Sequence, residues 1–139
     1  MGHVYENITL LNSMDAILAQ EGDIPLENVR KMEVRAMVDS GAMPLTINEK
    51  IAEQLGLKVR EQIEVVLADG SHRKCDYVGP VDVHFTNRTA CCRALVLPDT
   101  DEILLGVIPL EEMDVIIDPF TQQLTVHPDR PHRAHMKIK

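Results

Sequence analysis

The chain has 139 residues, 45% of them apolar, and a formal net charge of -8. That length fits a single domain with one real core. The acidic balance repels phosphate backbones, and with no Trp and two each of Phe and Tyr there is little to stack on bases, so no nucleic-acid partner is expected.

In chain order, His3 to Leu11 reads as a first strand. Ser13 is placed to cap a short helix over Met14 to Gln20 that Gly22 ends, and Pro25 can start a helical turn across Ile24 to Val29. Met32 to Val38 alternates apolar and charged residues, then becomes apolar as it runs into Asp39-Ser40-Gly41-Ala42. This is a strand entering a core and ending in a loop. Pro44 disfavours helix at Met43, and Thr46 or Asn48 can cap the main helix, Glu49 to Leu55, with Gly56 at its end.

From Ile63 the pattern is nearly all β. Ile63 to Ala68 and His72 to Val78 flank Asp69-Gly70, the strongest hairpin signal in the chain. Gly79-Pro80 separates that return strand from Val81 to Phe85, and Asn87-Arg88 reads as a turn before Thr89 to Leu97. Ile103 to Leu105, apolar on both faces, reads as a buried strand. Pro109 to Met113 is expected as a short helix begun by proline, Val115 to Ile117 as a strand, Asp118-Pro119 as a turn and Gln123 to His127 as the last strand. The fold class expected is mainly β: a closed or partly closed barrel with one main helix and short helical turns. Three regions are anticipated. Residues 1–31 form an N-terminal strand and helical extension, 32–127 the central domain, and 128–139 a polar, basic, solvated tail.

The segment richest in chemistry is Ala36 to Ala42. A strand gives Asp39 a rigid mount, Ser40 can lock a tight loop, Gly41 admits a close backbone, and Ala42 leaves space beside the carboxylate. Asp-Ser-Gly is also an ordinary turn sequence. The apolar strand before it, and the apolar pair Leu104-Leu105 with Gly106 and a helix downstream, raise it above a turn. Other signals are weaker. Cys75, Cys91 and Cys92 make no disulfide framework and fit a reduced, cytoplasmic setting. Cys91 and Cys92 read as small core residues, with a Cys-His pair to His84 as the alternative. His132 and His135 have the spacing of metal ligands but lie in a tail rich in proline and arginine, so no metal site is expected. No secretory signal is apparent, and the longest apolar run, Ile103 to Leu110, falls short of a membrane span, so no membrane partner is expected.

Val38-Asp39-Ser40-Gly41-Ala42 resembles the active-site loop of the retroviral-type, retropepsin-like aspartic proteases and their bacterial single-domain members. Ile103-Leu104-Leu105-Gly106 is similar to their apolar-apolar-Gly motif, and Ala68, Asp69, Gly70 and Ser71 to the tip of their flap hairpin. The resemblance runs in motif order from Val34 to Val126. It implies an aspartic endopeptidase active as a homodimer, needing no cofactor. Asp39 of each copy would meet at the two-fold axis, Ser40 would hold the opposite loop, and the hairpins would close over an extended peptide or protein substrate. The sequence carries one Asp-Ser-Gly, and its length is short for a fused two-lobe form. It departs from viral members in lacking the charged pair that braces the loop to the following helix, because Val107 and Ile108 follow Gly106 and the loop continues Met43-Pro44. The flap tip has a single glycine. The segment from Ser13 to Arg30 resembles a bacterial insertion. The rival expectation is a catalytically silent peptide-binding or assembly module on the same architecture.

Overall fold

The computed structural model describes residues 3–118, 120–136 and 138. The chain is mainly β, and its main sheet curls back on itself. In chain order it forms β1 (Val4–Asn12), α1 (Ser13–Gln20), a 3-10 turn (Leu26–Asn28), β2 (Lys31–Val38), β3 (Leu45–Ile47), α2 (Glu49–Gln54), β4 (Lys58–Val66) and β5 (His72–Phe85). Then come β6 (Arg88–Val96), β7 (Leu104–Leu105), α3 (Val107–Met113), β8 (Val115–Asp118) and β9 (Gln123–Val126).

Period-two patterning builds the barrel wall. In β1 the buried positions are Ile8, Leu10 and Asn12, and in β2 they are Val34, Ala36 and Val38, alternating with the less buried Thr9 and Leu11 and with Arg35 and Met37. The two strands pair antiparallel, Ile8 opposite Val34, which puts both apolar sets on one face. The sheet order is β1-β2-β7-β3-β6-β5-β4. Because β1 also pairs with β5, through Thr9 to Asn12, six strands make a ring and β4 hangs from its edge. Leu45, Ile47, Val81, Val83, Ala90, Ala94 and Leu105 fill the interior with essentially no exposure.

Several sequence expectations change, among them the single main helix: α2 has six residues, fewer than α1 with eight or α3 with seven, and α3 begins at Val107 rather than at Pro109. First, His72 to Val78 and Val81 to Phe85 are one strand, β5, with a bulge between Val78 and Val81 where its pairing with β6 slips. Before the bulge β5 pairs with β4, and beyond it with β1. Gly79-Pro80 is therefore where the strand changes neighbour rather than where it ends. Gly79 has φ of 143°, and a Cβ there would lie 3.2 Å from the Arg93 Cα. Second, Leu45–Ile47 is a strand, in a stretch where the sequence suggests nothing beyond a candidate cap at Thr46. It pairs parallel with β6 and antiparallel with β7, and three residues are too few to show a period. Third, Asn12 rather than Ser13 caps α1, its side chain accepting from the Asp15 N–H at 3.1 Å. Ser13 instead donates to Asp82 Oδ1 at 2.6 Å. Asn48, the second of the two proposed caps, accepts from Ile51 N–H and starts α2.

The segment from Ser13 to Arg30 fills the connection between β1 and β2. Its two ends are stapled by Asp15, which accepts from Arg30 Nε at 2.8 Å and Nη2 at 3.0 Å. The Asp118-Pro119 turn lies in part outside the described residues. The segment after β9 is largely exposed, as a solvated tail is, yet it is tied down at several points. Arg130 makes a two-pronged ion pair with Asp114 at 2.5 and 2.9 Å, His135 N–H donates to Asp114 Oδ2 at 3.1 Å, and Asn87 donates to the Pro131 carbonyl at 2.9 Å. Arg88, read from sequence as a turn residue, opens β6, is 2% exposed and donates to the Arg130 carbonyl.

The Asp114 carboxyl is held well below the usual carboxylate range, chiefly by the Arg130 guanidinium. The sign follows from the proton count. The folded chain takes up this proton at lower pH than the unfolded chain, so the stability it contributes is present above the ordinary carboxylate pKa of 3.8 and is lost as pH falls below it. Asp114→Asn is expected to cost about 1–3 kcal/mol at neutral pH, the range for a charged hydrogen-bonded pair, and to flatten the acid limb of the stability curve. Urea unfolding measured at neutral pH and again below the carboxylate range checks both effects.

Candidate active site

Asp39 is the first residue past the end of β2, half-buried where the strand leaves the core. The mount is made of backbone. Met37 N–H donates to the Ile103 carbonyl at 2.8 Å and Asp39 N–H to the Leu105 carbonyl at 3.0 Å, so β7 runs parallel beside the end of β2 and fixes it. Leu105 has 0% exposure beneath the loop.

The loop then closes on itself. Ala42 N–H donates to the Asp39 carbonyl at 3.1 Å, and Gly41 N–H donates to Asp39 Oδ1 at 2.9 Å. The aspartate thus locks its own turn, a role the sequence reading gave to Ser40. The Ser40 side chain is exposed and makes no hydrogen bond among the described residues. A Cβ on Gly41 would lie 3.2 Å from Asp39 Oδ1, so a bare glycine keeps that oxygen uncrowded.

The brace that the sequence lacked in charged side chains is present in backbone form. The first two N–H groups of α3 point at the loop: Val107 N–H donates to the Ala42 carbonyl at 2.8 Å and Ile108 N–H to the Met43 carbonyl at 2.9 Å. Gly106 makes this approach possible. A Cβ there would sit 2.2 Å from the Pro44 carbonyl oxygen, 2.7 Å from that of Met43 and 2.8 Å from that of Ala42. Asp39, Ser40, Gly41 and Ala42 are therefore brought together with Leu104, Leu105 and Gly106. These brace donors escaped sequence reading because any residue type but proline supplies them.

Ala68, Asp69, Gly70 and Ser71 form the tip between β4 and β5. Gly70 has φ of 85°, and Asp69 Oδ1 accepts from the Ser71 hydroxyl at 2.6 Å and its N–H at 2.9 Å. The Ser71 hydroxyl is the chief cause of the lowered Asp69 carboxyl pKa. Among the described residues, no hydrogen bond joins this tip to the Asp39 loop.

An open groove of about 940 Å³ runs beside the loop, lined by Ser40, by α3 and β8, and by His135 and Met136. Met43, 66% exposed, and Ile108, 40% exposed, flank the loop. Among the described residues no group of three or more His, Cys, Asp or Glu could hold a metal ion, and no helix is long and apolar enough to cross a membrane.

The three cysteines are free, and the core reading fails for Cys91, which is exposed, while Cys92 is only half-buried. Cys91 lies opposite Asp82 and touches the Ser13 hydroxyl at 3.7 Å, while His84 pairs with Thr89. Burial raises the Cys91 thiol and pushes Cys92 up to about 12, the opposite of what a thiolate nucleophile needs.

No curated protein matches the chain. The model of the family described as gag-polyprotein putative aspartyl protease matches residues 28–112, from just before β2 into α3. That span holds the Asp39 loop, the β4–β5 hairpin and the Leu104-Leu105-Gly106 motif, and it leaves β1, α1 and the β8–β9 hairpin outside. It covers more than half of the chain, and the chain belongs to this retropepsin-like aspartyl protease family.

Proposed function

We propose that the chain is an aspartic endopeptidase that works as a homodimer, with Asp39 of each copy forming a catalytic dyad at the two-fold axis. The carrying observation is the mount of Asp39. One half-buried carboxylate stands at the end of a core strand, held by backbone bonds from β7 and backed by α3, in a sequence with one Asp-Ser-Gly. A lone carboxylate has no partner acid to work with. Exposed Met43 and Ile108 beside it give a second copy an apolar margin to meet.

Two carboxylates about 3 Å apart cannot both ionise, so the pair holds one proton between them. The ionised member takes a proton from water, and the protonated member polarises the scissile carbonyl. The water oxygen attacks directly, and no covalent enzyme intermediate forms. Ser40, whose side chain has no hydrogen-bond partner among the described residues, would reach the opposite loop. The hairpin around Asp69 and Gly70 would close over an extended peptide and supply strand-like hydrogen bonds. Peptides and proteins are therefore the substrate class, no cofactor takes part, and a cytoplasmic setting is the proposed location. By this reading residues 32–127 carry the catalytic domain, 1–31 complete its wall, and 128–139 are a tethered tail.

Incubation with an unfolded protein from acidic to neutral pH, with and without a pepstatin-type inhibitor, tests the proposal. Inhibitor-sensitive cleavage is expected. No cleavage and no inhibitor binding at any pH would make the chain a silent peptide-binding module.

A further inference from the structure

A cavity of about 340 Å³ lies at the far end of β2 from Asp39, beside Arg30. Nine residues of extended chain separate the two, roughly 25–30 Å. Its walls carry Arg30, Lys58 and Arg60, with Met14 and Leu57 as apolar surface and Gly56 and Gly79 among the backbone that lines it. Among the described residues no acid lines it, although Asp15 pairs with Arg30 at 2.8 Å and the chain has a formal net charge of -8. The groove beside α3 is lined by Glu111, Glu112 and Asp114, and two smaller grooves likewise carry acids. Positive charge is thus concentrated in a concave place on an otherwise acidic protein.

The cations are held in different ways. Arg30 is oriented by Asp15, and its Nη1 lies over Gly56, where a Cβ would sit at 1.8 Å. Arg60 donates its Nε to the Gly79 carbonyl at 2.8 Å. That bond aims the guanidinium and leaves its two terminal nitrogens without partners among the described residues. Lys58 has no ion pair among them either. The nearby backbone donors are used: Gly56 N–H bonds to Glu53 and Leu57 N–H to Ala52. Only side-chain cations are left to receive a ligand.

We infer that this cavity binds a carboxylate carried on a short aliphatic stem, as in a glutamate side chain, at a site separate from Asp39. The planar fork of Arg60 matches the two oxygens of a carboxylate, and Lys58 adds a point charge. Met14 and Leu57 take the methylenes, which inorganic phosphate lacks. The site does not depend on the dyad. It would serve as an anchor for acidic segments of a bound protein or for a free small acid.

The test follows the backbone amides of Gly56, Leu57 and Gly79 by NMR in the full chain. The probes are a blocked Gly-Glu-Gly peptide, its Gly-Gln-Gly counterpart, glutarate and inorganic phosphate. The Glu peptide and glutarate are expected to shift these amides saturably and less strongly at high salt, and the Gln peptide not to. A tighter Glu peptide points to a protein segment, and equal binding of glutarate to a free acid. Arg60→Ala and Lys58→Gln should each weaken binding about tenfold, the loss expected for one charge-assisted bond. The Lys58 side chain makes no hydrogen bond or ion pair among the described residues, so its variant remains informative if Arg60→Ala perturbs β4. Asp39→Asn should leave binding unchanged. No saturable shift, unchanged binding in the Lys58 variant, or phosphate binding as tightly as the Glu peptide would overturn the inference.

Discussion

Asp39→Asn is expected to lower peptide cleavage by about 10⁴-fold, the upper range for losing a positioned acid-base group, while leaving fold and dimer intact. The two effects separate for a structural reason. The structural duty of the side chain within one chain is to accept the Gly41 N–H through Oδ1, and an amide oxygen does the same. The chemical duty is to take a proton from water, which an amide cannot do. Mixing sharpens the result. If each site needs one Asp39 from each copy, adding excess Asp39→Asn protein to the parent draws active subunits into mixed, inactive dimers. With total protein held constant, activity should then fall with the square of the parent fraction. A linear fall would mean that one copy suffices, and unchanged cleavage by the variant alone would remove Asp39 from the mechanism.

Gly106→Ala should be the most damaging methyl group added at any described glycine. It would place a carbon within 2.8 Å of three backbone carbonyl oxygens, the nearest at 2.2 Å. Backbone cannot swing aside as a long side chain can, so the loop or α3 must move. Either shift stretches the bonds from Val107 to Ala42 and from Ile108 to Met43. Overpacking of this kind costs about 1–3 kcal/mol. A displacement of about 1 Å at the Asp39 loop costs roughly 10²-fold in rate on top of that. Gly22→Ala is the matched control. Gly22 has positive φ, 81°, where Gly106 has -85°, so its variant carries backbone strain without the clash: nothing lies within 4 Å of a Cβ there. It should lose about 1 kcal/mol and keep its activity. Thermal unfolding and cleavage rates on the two variants separate the effects. Equal activity in Gly106→Ala and the parent would show that the backbone brace does not position Asp39.

What could be read from sequence followed from how each feature is encoded. Alternation in β1 and β2 announces a half-buried strand because the pleat has period two, and Asp69-Gly70 announces a turn because Gly70 must take positive φ. The Asp39 loop and the Leu104-Leu105-Gly106 motif were legible as side-chain chemistry in a known order. Other features left no such trace. The three-residue strand Leu45–Ile47 is defined by its partners β6 and β7, not by a period of its own. The continuity of β5 through Gly79-Pro80 depends on β1 waiting beyond the bulge. The brace from α3 uses backbone donors that no residue type advertises. Asp114 and Arg130 lie far enough apart in sequence that their pairing reflects the path of the chain after β9, where composition shows only a basic tail.

The central claim is that two copies of Asp39 share one site, and the separation of their carboxyl groups in the assembled protein measures it. A structure of the dimer with a peptide-like inhibitor should place the two carboxyls about 3 Å apart, close enough to hold one proton between them. A chain that stays monomeric at every concentration tested, or a dimer whose Asp39 side chains stand too far apart to share a proton, would contradict it.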